Sequence, residues 1–183
     1  MKNKNFQENI APTLVLVIIC LVITVALVLS NSATKPQIEK IAKENADKTR
    51  AEVLAEAKGF KEYTGKLNDN VIEYYVAENK CGVVVTSTSK SFGGQMTVMT
   101  GIDKDGAITG VKVTNHADTP GLGTKAMTPE YLKGYEGVKE LTAEKIKDEK
   151  NVDYIVGASV SSGGVFDAVK AALQQYKDCG GVK

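Results

Sequence analysis

The chain is 183 residues long, with 23 lysines and arginines against 22 aspartates and glutamates and a formal net charge of +1. That length suffices for one ordinary core plus an appendage, and the charge balance leaves no electrostatic footprint for nucleic acid. His116 is the single histidine and Arg50 the single arginine, which argues against a histidine-rich metal site, so no metal is expected.

Residues 1–9 form a short polar tail. From Ile10 the chain becomes almost unbroken Leu, Val, Ile and Ala as far as Leu29. About 20 apolar residues span a hydrocarbon core of ~30 Å as a helix, so residues 10–30 are expected to be a transmembrane helix. A cleaved signal sequence would have a shorter apolar run and a better cleavage site than Ser30-Asn31-Ser32-Ala33. Lys2 and Lys4 precede the span, while Lys35, Lys40, Lys43 and Lys48 follow it. A positive-inside count would place the body in the cytoplasm, but long domains translocate largely regardless of charge. Charge alone leaves the side open.

Thr34-Lys35-Pro36-Gln37 reads as a helix start with a capping box. Ile38, Ile41, Ala42, Val53, Leu54 and Ala57 then mark a broken helical stripe, and residues 31–59 are expected to be a stalk helix ending near Gly59. Residues 60–183 form the body. Val71–Val76 and Gly82–Thr86 are short, branched and aromatic, as strands are. Gln95–Ile102 and Ala107–Asn115 flank Asp103-Lys104-Asp105-Gly106, and Asp-Gly between strand-like runs signals a hairpin. His116 to Ala126 carries Pro120, Gly121 and Gly123, which argue against regular structure. Thr128-Pro129-Glu130 starts a short helix or turn. Leu141–Lys150 is polar and expected to be exposed, and Val152–Val156 reads as a short strand. Val165, Phe166, Val169, Ala172, Leu173 and Tyr176 share one face of a helix expected over Ser162–Tyr176, ended by Gly180-Gly181. The fold class is therefore α+β: one transmembrane helix, then a mixed domain with antiparallel hairpins. Cys20, Cys81 and Cys179 form no C-x-x-C motif, and Cys81 and Cys179 can pair only if the fold brings them together.

Chemistry concentrates in Asp153-Tyr154-Ile155-Val156-Gly157-Ala158-Ser159-Val160-Ser161-Ser162-Gly163-Gly164. Small residues and three hydroxyls stand before an amphipathic helix, where free N–H groups and the helix dipole favour a phosphate. The bland alternative is a capped helix, with Ser161 or Ser162 as N-cap and glycines for close packing. A cap alone does not call for three hydroxyls behind Gly157-Ala158, and it leaves the second glycine-rich loop, Asp118 to Gly123, unexplained. Gly121 to Ala126 matches G-x-G-x-x-A, but no apolar strand precedes it as a dinucleotide fold requires. Gly157 to Ser161 resembles a nucleophile elbow without its final glycine, and His116 lies on the wrong side of the serine for that fold. No P-loop motif exists.

Taken together, the N-terminal span, Gly93 to Val113 followed by His116 and Thr119-Pro120-Gly121-Leu122-Gly123, and Asp153 to Ser159 resemble the RnfG component of the Rnf electron-transport complex and its relative NqrC. The resemblance covers nearly the whole chain. It implies an FMN-binding domain whose late motif, D-x-x-[S/T]-G-A-[S/T], carries FMN on its last hydroxyl through a phosphoester. Here Asp153, Gly157 and Ala158 match. Ser159 stands at the attachment position, and Val156 replaces the usual hydroxyl residue. The resemblance further implies that His116, Thr119, Pro120, Gly121, Leu122 and Gly123 line the flavin, with Leu122 as apolar contact. Ser161 and Ser162 would serve as helix caps and phosphate neighbours. It implies a subunit that relays electrons in an ion-translocating ferredoxin:NAD oxidoreductase coupled to Na+ or H+. Its partners would be other membrane subunits, membrane lipid and, during maturation, a flavin transferase, with the domain on the extracytoplasmic side. The flavin would supply the redox chemistry, so no catalytic acid or base is expected. The rival expectation is a stand-alone anchored FMN-domain reductase or electron shuttle.

Overall fold

The computed structural model describes residues 11–182, without the Ala11 side chain. The expected tail of residues 1–9, with Lys2 and Lys4, and Ile10 lie outside the described residues. The chain divides into two compact units between Ala46 and Asp47.

The first unit holds most of helix α1, Ala11–Val53. Its N-terminal half is apolar all round and exposed, the pattern of a helix that faces lipid. It is long and apolar enough to cross a membrane. The expected helix start at Thr34 is corrected: α1 runs through it without a break. The Thr34 hydroxyl does not cap; it donates back to the Ser30 carbonyl at 2.9 Å, and Pro36 is accommodated inside the helix.

The second unit begins at Asp47, where a boundary at residue 60 was expected. The reason is packing: the last turns of α1 belong to its core. Val53 and Leu54 are buried with Ala77, Val84 and Met99 on one face of a five-stranded antiparallel sheet. The strands are β1 (Phe60–Glu62), β2 (Val71–Ala77), β3 (Gly82–Ser91), β4 (Gly94–Asp103) and β5 (Ile108–Asn115), in sequential order. Gly101 lets the helix end approach, since a Cβ there would stand 2.2 Å from the Val53 carbonyl oxygen. Arg50 is pinned beside it, 5% exposed, with its guanidinium 3.8 Å from the Tyr75 ring centre. It donates to Asp47 at 2.6 Å and Glu73 at 3.2 Å.

The opposite sheet face carries the main core. Val83, Val85, Met96, Val98 and Ile102 pack against Val165, Phe166, Val169, Ala172 and Leu173 of helix α3, Ser159–Asp178. A fully buried side chain of this size contributes about 1.5–3 kcal/mol. The sequence spacing of α3 identified this face correctly. Gln175, also buried, holds the 66–68 loop: its side chain accepts from the Asn68 N–H at 2.7 Å and donates to the Lys66 carbonyl at 3.2 Å. Gly180 and Gly181 take positive φ, and their N–H groups return to Lys177 and Tyr176, closing the helix as expected.

Several local expectations are revised. Gly123–Met127 is a short 3-10 turn despite its glycine, because Gly123 opens the turn and Pro120 lies outside it. Thr128 caps helix α2, Pro129–Leu132, by accepting from the Tyr131 N–H. Residues 141–150 are not uniformly exposed. Leu141 and Ile146 are buried pegs, and the Glu149 carboxylate accepts from the N–H groups of Thr142, Ala143, Lys150 and Asn151. Val152–Val156 is not a strand. It joins no sheet, and Val156 is 82% exposed. Cys20, Cys81 and Cys179 are free thiols.

Candidate functional site

Chain reversals at three places meet beside the N-terminus of α3. The first is the β3–β4 hairpin tip, Phe92-Gly93, between paired Ser91 and Gly94. The second is the loop after β5, Asp118 to Gly123. The third is Gly157, with φ of 86°, which turns the chain into α3; glycine adopts that conformation without steric cost. Together they enclose a cavity of about 160 Å³ lined by Phe92, Asp118, Thr119, Leu122, Gly123 and residues 157–161.

The structure thus unites the two glycine-rich loops singled out in the sequence. Thr119, Leu122, Gly123, Gly157, Ala158, Ser159 and Ser161 all line the cavity. His116, Pro120 and Gly121 lie off it on exposed loop, and Ser162 is buried beneath it. Phe92, 74% exposed at the rim, gave no sequence signal, being a lone aromatic between polar residues.

The helix start differs from expectation. α3 begins at Ser159, three residues early, with Ala158 as N-cap and no side-chain cap. Ser161 and Ser162 are therefore not caps. The Ser162 hydroxyl donates back to the Ala158 carbonyl at 3.1 Å, and the Ser161 hydroxyl donates to Asp118. Among the described residues, no partner engages the Ser159 hydroxyl, which is half-buried at the cavity. The first intrahelical bond is that of the Ser162 N–H to the Ala158 carbonyl, at 2.9 Å. The N–H groups of Ser159, Val160 and Ser161 precede it and are unpaired within the helix. An open hydroxyl beside three free N–H donors at a positive helix end is a donor set suited to a phosphate ester.

Close packing fixes the base of the site. The Cβ of an alanine at Gly164 would stand 2.6 Å from the Lys90 carbonyl oxygen, so α3 lies directly on β3. Alternate serines of β3 secure it: Ser87 donates to the Ala168 carbonyl at 2.8 Å and Ser89 to the Gly164 carbonyl at 2.6 Å. Ser91 donates to the Asp118 carboxylate. Burial alone would push the Asp118 carboxyl up, but hydrogen bonds from Ser91, Ser161 and the Gly93 N–H, with His116 nearby, hold it below its ordinary range. Asp118 was legible only as part of a turn.

The family model described as FMN-binding domain matches residues 91–174, a span that contains every residue lining the cavity. The RnfG-type component of the ion-translocating oxidoreductase complex of Methanosarcina acetivorans is 30% identical, over 86% of this chain and 89% of the relative. Its counterpart in the Na(+)-translocating ferredoxin:NAD(+) oxidoreductase complex of Acetobacterium woodii is 28% identical, over 90% of each. The counterpart in the proton-translocating complex of Clostridium ljungdahlii is 26% identical, over 95% of each.

Proposed function

Because this chain belongs to the RnfG family of ion-translocating oxidoreductase complexes, with an FMN-binding domain, we propose that it carries FMN as a phosphoester on Ser159. It is an electron-transfer subunit of such a complex and works beside the other subunits. The flavin, when bound, supplies the redox chemistry. The chain supplies position, charge and exclusion of water.

The observation that carries the reading is the sorting of the three serines. Ser161 is engaged by Asp118 and Ser162 by the Ala158 carbonyl. Ser159 remains open at the cavity. A phosphodiester there keeps about one negative charge next to the free N–H groups of Ser159, Val160 and Ser161. Such a charge at a helix N-terminus is favoured by ~0.3–1 kcal/mol if exposed, and by up to ~2 kcal/mol if partly buried. The cavity is smaller than the ~300–1,000 Å³ of a site that encloses a whole ligand. Part of the cofactor therefore stays outside it, beside the exposed apolar side chains of Phe92, Leu122 and Val160.

α1 anchors the protein in the membrane, in contact with lipid. The body stands on the extracytoplasmic side, where a covalent bond keeps a scarce cofactor in place, and a flavin transferase installs the flavin during maturation. The ferredoxin:NAD reaction and its coupling to Na+ or H+ belong to the assembled complex.

The test is co-expression of the full chain with a flavin transferase, read by intact mass and in-gel flavin fluorescence. The unaltered chain gains one FMN less one water, as do Ser161→Ala and Ser162→Ala, whereas Ser159→Ala gains none. Covalent flavin retained on Ser159→Ala would overturn the attachment site. Labelling of Cys179 in intact cells by a membrane-impermeant thiol reagent checks the side.

A further inference from the structure

Among the described residues, Asp118 is the only ionisable side chain lining the cavity, and attachment of a flavin to Ser159 does not itself require it. It is 5% exposed. Burying a carboxylate is costly unless its oxygens are hydrogen-bonded, and the donors that satisfy this one come from separate parts of the chain. One oxygen accepts from the Ser91 hydroxyl at the end of β3, and the other from the Gly93 N–H at the hairpin tip, at 2.5 Å. The Ser161 hydroxyl, in the first turn of α3, is the third donor. The 118–123 loop folds back so tightly that a Cβ at Gly123 would stand 2.8 Å from the Asp118 Cβ and 2.9 Å from its carboxylate.

We propose that Asp118 is the positioning residue of this site. Its carboxylate ties the hairpin tip, the 118–123 loop and the first turn of α3 into one unit, and by holding the Ser161 hydroxyl it leaves Ser159 as the acceptor. The inference rests on Ser159 being the attachment residue. It adds the means by which one serine of three is selected. Hydrogen bonds to charged groups are stronger than neutral ones, so a single anion can hold three segments that share no backbone ladder. A residue needed only for the fold would leave the choice of serine untouched. This one changes which hydroxyl is free.

The experiment uses Asp118→Ala in the full chain, with two readouts. The first is amide hydrogen exchange without flavin. Gly93, and Ser162 in the first turn of α3, exchange at least tenfold faster together, while Val85 and Val98 in the sheet keep their rates. The second is peptide mapping after co-expression with a flavin transferase. Loading falls severalfold, and part of the remaining flavin is found on Ser161. Unchanged exchange at Gly93 with flavin on Ser159 alone at the unaltered level would overturn the proposal. If Asp118→Ala loosens the whole sheet, Ser91→Ala decides, since it removes one donor and keeps the carboxylate. Faster exchange at both Gly93 and Ser162 supports the tie, and faster exchange at the hairpin tip alone refutes it. An unaltered chain that takes no covalent flavin would sink the Ser159 reading, while the exchange coupling still tests Asp118.

Discussion

Gly163 and Gly164 are adjacent in α3, yet alanine should act on them with opposite sign. Glycine inside a helix costs about 0.5–1 kcal/mol relative to alanine, so each substitution starts with that gain. At Gly163 nothing opposes it, because the nearest atom to a new Cβ is Ile146 Cγ2 at 4.0 Å. At Gly164 the new Cβ would lie 2.6 Å from the Lys90 carbonyl oxygen and 3.3 Å from Met96 Sδ. The first of these is backbone and cannot rotate away. Overpacking of this kind costs about 1–3 kcal/mol, and lifting α3 also stretches the Ser89 bond to the Gly164 carbonyl. Gly163→Ala should therefore stabilise by about 0.5–1 kcal/mol, and Gly164→Ala should destabilise by a net ~0.5–2 kcal/mol. Thermal unfolding of the detergent-solubilised chain checks this, at about 2–4 °C per kcal/mol for a protein of this size. Gly164→Ala should also lower flavin loading, since the first turn of α3 moves with the helix. Shifts of the same sign at both positions would refute the close seating of α3 on β3.

Arg50→Ala should destabilise the body by about 2–3 kcal/mol in urea unfolding, because it removes a nearly buried cation and its charged hydrogen bonds; Arg50→Lys should recover only part, lacking the planar group stacked on Tyr75. Glu149 sits below its ordinary range: burial pushes it up, but four backbone N–H groups pull it further down. Its contribution is therefore present above the unfolded carboxylate range and is lost as pH falls through the depressed folded value. Glu149→Gln should flatten the acid limb of a stability–pH curve and leave the neutral plateau nearly level with pH. Phe92→Ala and Leu122→Ala should stay within about 0.5 kcal/mol of the unaltered chain in flavin-free unfolding, as exposed positions do. Both should change the visible absorption of the loaded flavin, and an unchanged spectrum in both would remove them from the cofactor site.

The face of α3 and the Asp-Gly hairpin were legible because each is a local pattern with a period or a turn residue to mark it. β3 was read as ending at Thr86, whereas it runs to Ser91. Its second half is polar on both faces, so no alternation of apolar and polar residues betrays it. The inward hydroxyls of Ser87 and Ser89 find carbonyls of α3, a tertiary contact that no local pattern encodes. The same holds for Asp118, a turn residue in sequence and a three-way tie in the fold. Val152–Val156 failed the other way: branched residues suggested a strand, but no neighbouring strand edge receives them. The site was half legible. Its two glycine-rich loops were visible, while the hairpin tip with Phe92, the early start of α3 and the sorting of the serines depend on long-range packing.

Val156 is the departure from the attachment motif that the resemblance implies, and its place in the structure assigns that departure a specific consequence. It is 82% exposed, belongs to no regular element and does not line the cavity. A hydroxyl there would not reach a phosphate held at the α3 N-terminus, nor would it support the fold. It would be accessible to an enzyme approaching from solvent. Val156→Thr should therefore raise the rate of flavin transfer onto Ser159 by a transferase, and should leave the unfolding temperature and the spectrum of the loaded flavin unchanged. Time-resolved in-gel fluorescence with limiting transferase measures the rate. A changed spectrum with an unchanged rate would refute this reasoning, because it would put residue 156 in contact with the flavin rather than with the enzyme that installs it.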